Sequence, residues 1–377
     1  MNMTDQQKPP LIWLNIFIFS TSLLLALVVL PIYGFFFGFG SEHWIWLAIT
    51  FCFCNLTITT GYHRLWSHKA FEAHAVIRII CAIGGAFSLQ NSVLHWASDH
   101  RNHHKYVDNN HKDPYSAKKG FWYSHVGWML REYDVERYSD YTNCRDLKKD
   151  RIVMWQHNNY VLLALLTNIA IPVGLGLLYG DVLGMLLVVG ALRLVLNHHT
   201  TFFINSLAHI WGSQPYTDKN SARDSAFLAF LTFGEGYHNY HHFFENDYRN
   251  GIDWWQYDPT KWVIRLSAWL GLASNLKRSP EERIEKAKAK MQLIRANNSL
   301  ELLPDCQTMI KNLHDEYGIF LQNMNAYYEV KKQLIEMKKN KIAQKYDLIE
   351  RKKQYQKMKL RWLEQRKSWN QLALQYA

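Results

Sequence analysis

The sequence predicts an all-α integral membrane protein with four spanning helices, a polar helical cap that gathers histidines, and a long helical tail. Three observations carry this. Four apolar segments are each long enough to cross a bilayer, at about 11–36, 42–61, 159–179 and 182–203. Histidines recur in compact runs just outside those segments. The last hundred residues are dominated by Lys, Arg, Gln and Glu, with 22 basic and 12 acidic residues from Lys277 to Ala377. That stretch carries +10 of the chain's formal +11, so the basic character belongs to the tail. The mean hydropathy of −0.25 is that of a soluble protein only because apolar body and polar tail average out. A boundary near 276/277 divides a membrane domain, 1–276, from the tail, 277–377.

The first apolar segment is too long for a signal peptide, and its FFFGFG end suits the aromatic boundary of a membrane. A fifth apolar run, 75–89, is shorter and contains Arg78, which fits a buried or interfacial helix better than a span. Four spans also keep the histidine runs on one side of the membrane. The connections PIYGFFFGFGSEHW and LYGD hold no Lys or Arg, whereas the stretch from His63 to Asn158 holds Arg101, Lys105, Lys118, Lys119, Arg131 and Lys149. Positive charge stays inside, so both termini and the histidine-rich loop are expected in the cytoplasm. A bacterial inner membrane is the setting taken. Five cysteines, with no CxxC pair, suggest reduced thiols rather than a zinc ribbon or disulfides.

Nine of the eighteen histidines form a set: HRLWSH gives His63 and His68, HRNHH gives His100, His103 and His104, HNYHH gives His238, His241 and His242, and His209 stands in NSLAHIWG. Residues at i, i+3 and i+4 share a helix face, so each HxxHH box is expected to aim its three imidazoles at one point. His63 and His68 lie about 140° apart on an ideal helix and converge only if the helix ends or deforms between them. Neutral imidazole ligates iron, zinc or copper. Nine imidazoles exceed what one ion can use, so two ions are expected. His198 and His199 lie within the fourth span and read as packing or hydrogen-bonding residues. His43 falls on the opposite face and His314 in the tail, and neither is assigned to a metal.

Several longer stretches make the pattern specific: GYHRLWSHKAFEA, LQNSVLHWASDHRNHHKYVDNNHKDP, GFWYSHVGWML, FFINSLAHIWG, SARDSAFLAFLTFGEGYHNYHH and DYRNGIDWWQYDPTKW. Over about residues 45–270 the chain resembles the membrane-bound fatty acyl desaturases of the stearoyl-CoA desaturase type; the tail lies outside the resemblance. The resemblance implies a non-haem di-iron centre held by the nine histidines, with Asn205 reaching one iron through a water. It implies five imidazoles on one iron and four plus the water on the other. It implies dioxygen-dependent introduction of a cis double bond, at carbons nine and ten, into a saturated acyl chain of about 16–18 carbons.

The resemblance also implies a kinked tunnel lined by Gln90, Trp96 and Thr201, closed near Phe51 and Asn55. Asn55 stands where many relatives have a small residue, which predicts a shorter tunnel. Asn91 and Arg131 match positions that contact coenzyme A, whereas Ser98 and Glu132 stand where relatives often carry Arg and Lys. The acyl carrier is therefore acyl-CoA, a phospholipid acyl chain or acyl carrier protein. Asp99, Asp113, Asp224, Glu235 and Asp247 are candidate partners for the outer nitrogens of the ligating histidines. No haem, flavin or iron–sulfur motif is present, so two electrons must come from a separate protein: a ferredoxin, a rubredoxin or a b-type cytochrome.

Three other classes share parts of this pattern. A histidine-rich di-iron membrane hydroxylase or alkane monooxygenase shares the HxxHH boxes. A membrane metal transporter would place ligands near the midplane of the spans, whereas these cluster at span ends. A zinc-binding receptor shares the metal ligands alone. The tail reads as a long solvated helix, as a coiled coil or hairpin with a partner, or as a surface for anionic lipid. Nucleic acid is not expected, because the body places the protein in a lipid bilayer.

Overall fold

The computed structural model describes residues 8–340 and 345–376. Four helices are long and apolar enough to cross a membrane: α1 (Trp13–Phe37), α2 (Ser41–Ser67), α7 (Tyr160–Tyr179) and α8 (Val182–His209). Between and after them lie α3 (Ala75–Phe87), α4 (Val93–Tyr106), α5 (Phe121–His125), α6 (Arg151–Asn158), α9 (Ala226–Leu231), α10 (His238–Phe243) and α11 (Pro259–Trp269). The only strands among the described residues are two-residue segments, Glu72–Ala73 and Ala273–Ser274, paired antiparallel. The fold class expected from the sequence is the one observed.

Two spans contain proline, and both meet it in the same way. A π-helical turn, Leu25–Val29 in α1 and Leu166–Ala170 in α7, stands just before Pro31 and Pro172. The wider turn absorbs the backbone hydrogen bond that proline cannot make. Burial then ranks the spans. The most apolar stretch of α1 is 11% buried and that of α8 is 61% buried, so α1 faces lipid and α8 is the central helix.

The 13-residue α3 is too short to span, as expected, and Arg78 within it pairs with Asp150 ahead of α6. Ser92 caps α4 by accepting from the His95 amide, and Asp258 caps α11 by accepting from the Lys261 amide. Tyr62, Trp66, Leu94, Ala97, Tyr248 and Ile264 pack where α2, α4 and α11 meet, and this core fixes the ends of the helices that carry histidines.

The residues fall into two compact units, one running to Ser213 and including Lys219–Arg278, the other Gln214–Asp218 with Ser279–Ala377. The second unit contains α12 (Glu281–Leu300), α13 (Gln307–Asn340) and α14 (Lys345–Gln375). Its helices bury Ala289, Ala296, Phe320, Met324, Trp362 and Trp369 against one another. The tail is therefore helical, as expected, but not one solvated helix: the bulky aromatics of α13 and α14 recur on inward faces and give it a core. His314, left unassigned to metal, contacts Asn297 within this unit.

Candidate metal centre

The cytoplasm-predicted ends of α2 and α8 bring His63, His68 and His209 to one end of the spans; His43 lies at the opposite ends, where its Nε2 is 3.1 Å from Asp181. The last ten residues of α2, Ile58–Ser67, are π-helical, and the His68 amide donates to the His63 carbonyl five residues back at 3.1 Å. A residue-to-residue step of five then completes a little more than one turn, so the two imidazoles face nearly the same way. That deformation is what their spacing required.

The nine histidines gather into two groups. His63, His68, His100, His104 and His241 form one, and His103, His209, His238 and His242 form the other; within each group the candidate ligand atoms lie within 4.8 Å of one another. The two HxxHH boxes do not each converge on a point, and this corrects the sequence expectation. On a helix, i and i+4 are offset by about 40°, while i+3 lies about 100° from i+4. His100 and His104 therefore stay together and His103 turns away to the other group. In α10 the same geometry keeps His238 with His242 and sends His241 across. Each box straddles both groups.

The nitrogen geometry fits metal ions. Nε2 atoms approach to 3.0 Å for His63–His241, 2.7 Å for His68–His100 and 3.0 Å for His104–His241. In the second group the separations are 3.2 Å for His103–His242, 3.0 Å for His209–His238 and 3.1 Å for His238–His242. Two nitrogens at right angles, each about 2.1 Å from one ion, lie about 3.0 Å apart. Meanwhile the outer nitrogens turn to acceptors: His63 Nδ1 lies 2.9 Å from Glu235, His103 Nδ1 2.9 Å from Asp113, His104 Nδ1 3.4 Å from Glu245 and His209 Nδ1 2.8 Å from Ser221 Oγ. Once Nδ1 carries the proton, Nε2 presents a lone pair, and lone pairs converge only on a cation. Burial holds the His68, His100, His238, His241 and His242 pKa values well below the usual range, and that of His104 at about 4. These rings are neutral near pH 7, as ligands must be.

Asn205 lies four residues before His209 in α8, half-buried, and its side chain has no hydrogen-bond partner among the described residues. Among the candidate carboxylate partners, Asp113 and Glu235 approach ligand rings. Asp99 does not. It pairs with Arg137 at 2.7 Å and lies 3.3 Å from His95, one turn earlier in α4, so its charge is taken up by the guanidinium rather than by a ligand ring. Asp224 acts on backbone instead, accepting from the Asn239 and Tyr240 amides at 2.7 and 3.0 Å at the start of α10. Asp247 receives the Tyr240 hydroxyl at 2.7 Å and pairs with Arg249 at 2.9 Å. Both brace the ligand helix rather than its rings.

Sequence reasoning missed Glu245, Ser221 and Tyr115, whose hydroxyl lies 3.2 Å from His100 Nδ1. Glu245 could have been found three residues after His242; the others come from distant loops. Glu235 is part of a larger buried network in which Arg64 bridges it to Asp258 at 2.8 and 3.0 Å.

Beside the first group, the Trp96 ring stacks on His100, with centroids 4.8 Å apart. Gln90 Oε1 accepts from Trp96 Nε1 at 3.3 Å, and its Nε2 donates to Thr201 at 2.8 Å. Gln90, Trp96 and Thr201 thus form one hydrogen-bonded row. Asn55 is buried and its Nδ2 donates to the Phe51 carbonyl at 2.9 Å, while the Phe51 ring packs on Phe233. Asn91 adopts a positive φ of 73°, and its amide donates to Tyr160 Oη. Arg131 donates to the Pro9 carbonyl at 2.6 Å. It lines a cleft of about 240 Å³ with Ser98 and Glu132, in which six carboxylates face four Lys or Arg side chains. His198 Nε2 lies 3.1 Å from the Ser88 carbonyl, and His199 Nδ1 lies 2.9 Å from His125 Nε2. Both belong to hydrogen-bonded packing.

Fold and site together define a helical membrane protein with two neighbouring groups of imidazoles, each able to hold a metal ion, at the ends of its spans. The chain belongs to the fatty acid desaturase family, whose model matches residues 42–268. It is 47% identical over 232 residues to a probable acyl-CoA desaturase of Schizosaccharomyces pombe, covering 61% of this chain and 48% of that protein. It is 45% identical over 233 residues to acyl-CoA desaturase 1 of Saccharomyces cerevisiae, covering 62% and 45%. An sn-1 stearoyl-lipid 9-desaturase of Synechocystis is 36% identical over 230 residues, covering 59% and 68%. The matched region spans about half the length of the two yeast relatives.

Proposed function

We propose that the protein is a dioxygen-dependent fatty acyl desaturase with two irons, one in each histidine group. The observation that carries this is the division of nine imidazoles, seven buried and two partly so, into groups of five and four, with converging Nε2 atoms, in a chain of this family. The reaction takes two hydrogens from adjacent methylenes, one dioxygen, two electrons and two protons, and yields a double bond and two waters. Iron supplies the dioxygen chemistry when bound.

The protein's own residues do the rest. Nine imidazoles hold the metals, and Asn205 is the residue assigned to a water ligand. Asp113, Glu235 and Glu245 keep the outer nitrogens of His103, His63 and His104 protonated, so that each inner nitrogen stays free to ligate. The row Gln90–Trp96–Thr201 positions the acyl chain beside His100, and Phe51 with Asn55 closes the far end of its tunnel. A cis bond at carbons nine and ten of a chain nearer sixteen than eighteen carbons is the product assigned. The membrane domain, 1–276, carries this chemistry; residues 277–377 form the appended bundle.

Acyl-CoA is the first choice of substrate, in keeping with the names of the yeast relatives. The excess of carboxylates around Arg131 works against a polyphosphate headgroup, and an acyl lipid or acyl carrier protein is the competing carrier. The electron donor is a separate ferredoxin, rubredoxin or b-type cytochrome. Both termini are assigned to the cytoplasmic side; relatives from yeasts as well as a cyanobacterium give the bacterial inner membrane no particular support.

The test is expression in a yeast strain lacking its own desaturase, beside a His103→Ala control, with mass spectrometry that locates double bonds. A new monounsaturated acid absent from the control is expected. An alcohol product would move the chain to the hydroxylases. No product even with a matched donor supplied would overturn the desaturase reading.

A further inference from the structure

His209 is the one ligand of the four-histidine group that comes from neither HxxHH box, and its outer nitrogen meets a hydroxyl rather than a carboxylate. Ser221 Oγ lies 2.8 Å from His209 Nδ1. The same Oγ donates its proton to Asp108 Oδ1 at 2.5 Å, and the Ser221 amide donates to Asp108 Oδ2 at 2.7 Å. A serine hydroxyl has one proton. With that proton on the Asp108 carboxylate, Oγ can only accept from His209, so Nδ1 must carry the ring proton and Nε2 must present its lone pair. That Nε2 lies 3.0 Å from His238 Nε2, within the group.

The Asp108 loop reaches a second ligand as well. Asp108 sits at φ 67°, a left-handed conformation that Asp tolerates better than most residues. There its amide donates to Asp113 Oδ2 at 3.0 Å, while Asp113 Oδ1 lies 2.9 Å from His103 Nδ1. The Tyr115 amide adds a further bond to Asp113 Oδ1 at 3.2 Å. One turn, residues 107–113, therefore braces two ligands of the same group that arrive from α4 and α8. Among the described residues no single turn links two ligands of the five-histidine group, where Glu235, Glu245 and Tyr115 each meet one ring.

We propose that Asp108 and Ser221 are positioning residues which, together with Asp113, form a single clamp that fixes His209 and His103 and so sets metal affinity at the four-histidine site. The proposal rests on the two-metal reading above. It goes beyond that reading in making the two sites separately adjustable: Ser221 and Asp108 act on ligands of one metal, and the path to the other group, from Asp113 through Tyr115 to His100, is one step further removed.

The test uses the full-length protein in detergent, stripped of metal and titrated with cobalt(II), whose visible absorption reports its ligands. Wild type is expected to take up two equivalents. Ser221→Ala removes the one acceptor that the described residues offer His209 Nδ1 and is expected to weaken one of the two by about 10–100-fold, with the other unchanged. Ser221→Thr keeps the hydroxyl and is expected to restore the spectrum and affinity of the weakened site. Thermal unfolding of the metal-free variants separates this from a general loss of fold. If Ser221→Ala does not fold, Asp108→Asn carries the test: it keeps an acceptor for the serine but loses the charge, and a smaller loss confined to one equivalent is expected. Two equivalents with wild-type affinities in the tested variant, or equal weakening of both, would overturn the clamp alone. Wild type binding fewer than two equivalents would overturn the metal reading and the clamp together.

Discussion

Glu235→Gln changes one oxygen for one NH2 group at the point where the fold and the five-histidine group share a side chain. Glu235 is 2% exposed and Arg64 is 1% exposed. Three N–H groups donate to the carboxylate and a fourth faces it: Arg64 Nε at 3.2 Å and Nη2 at 2.8 Å bond Oε1, Asn250 Nδ2 at 2.7 Å bonds Oε2, and His63 Nδ1 lies 2.9 Å from Oε2. These partners hold the Glu235 pKa at about 2 against the upward pull of burial, so the group is a carboxylate.

Glutamine has a single oxygen. Whichever way its amide is turned, an NH2 group meets either the guanidinium or the Asn250–His63 pair. One buried donor pair is left without an acceptor, which costs about 1–3 kcal/mol, and half of Arg64's buried charge compensation is lost. Removing one partner of a buried ion pair costs about 3–5 kcal/mol. Arg64 keeps Asp258, at 3.0 Å, so the lower end applies, and a stability loss of about 3 kcal/mol is expected. Loss of the acceptor at His63 Nδ1 is expected to lower metal affinity at the five-histidine site by about 10–100-fold. Thermal unfolding in detergent and iron per chain by plasma emission spectrometry check the two consequences separately. A Gln variant with unchanged melting temperature and two irons would refute the reasoning, because no arrangement of one amide satisfies all four donors.

The remaining predictions concern substrate and pH. Asn55→Ala opens space beside Phe51 and should move product length toward longer chains; identical chain-length profiles for variant and wild type would remove Asn55 from the tunnel end. Gln90→Ala breaks the bridge between Trp96 and Thr201 and should slow turnover by roughly 10–100-fold with iron content unchanged, since the effect is one of substrate placement. Loss of iron in that variant would assign Gln90 to the metal site instead. The metal-free protein should lose stability as pH falls. The buried histidines have folded pKa values below the ordinary value of about 6.5. Below that value the unfolded chain binds more protons than the folded one. Their contribution is fully present above pH 6.5 and is lost progressively toward pH 4. Melting temperatures flat between pH 7.5 and 5 would contradict the assigned neutral state.

The spans were legible because bilayer thickness imposes one simple requirement, about 20 apolar residues, and the order of hydropathy along the chain meets it four times. The nine histidines were legible because the sequence presents them in dense runs near span ends. The resemblance implied groups of five and four, but which histidine joins which was not read, although the angles of an ideal helix contain it: His103 and His241 leave their boxes because i+3 lies on the far side of i from i+4. The convergence of His63 and His68 depended on a π-helical ending that no local residue pattern announces. Carboxylate partners divided by distance along the chain. Asp113 and Glu235 are near a box and were found, Asp99 is equally near but turns to Arg137, and Ser221 reaches His209 only through the folding of a loop. In the tail, polar composition suggested a solvated helix, while the aromatic residues that make a core are spread between α13 and α14, so neither helix shows it alone.

The central claim is that two separate imidazole groups each hold one iron, and diffraction at the iron absorption edge from crystals of the purified, active protein tests it most directly. The account predicts two anomalous peaks, one among His63, His68, His100, His104 and His241, the other among His103, His209, His238 and His242. A single peak, a peak outside both groups, or a signal that follows the zinc edge in active protein would contradict it.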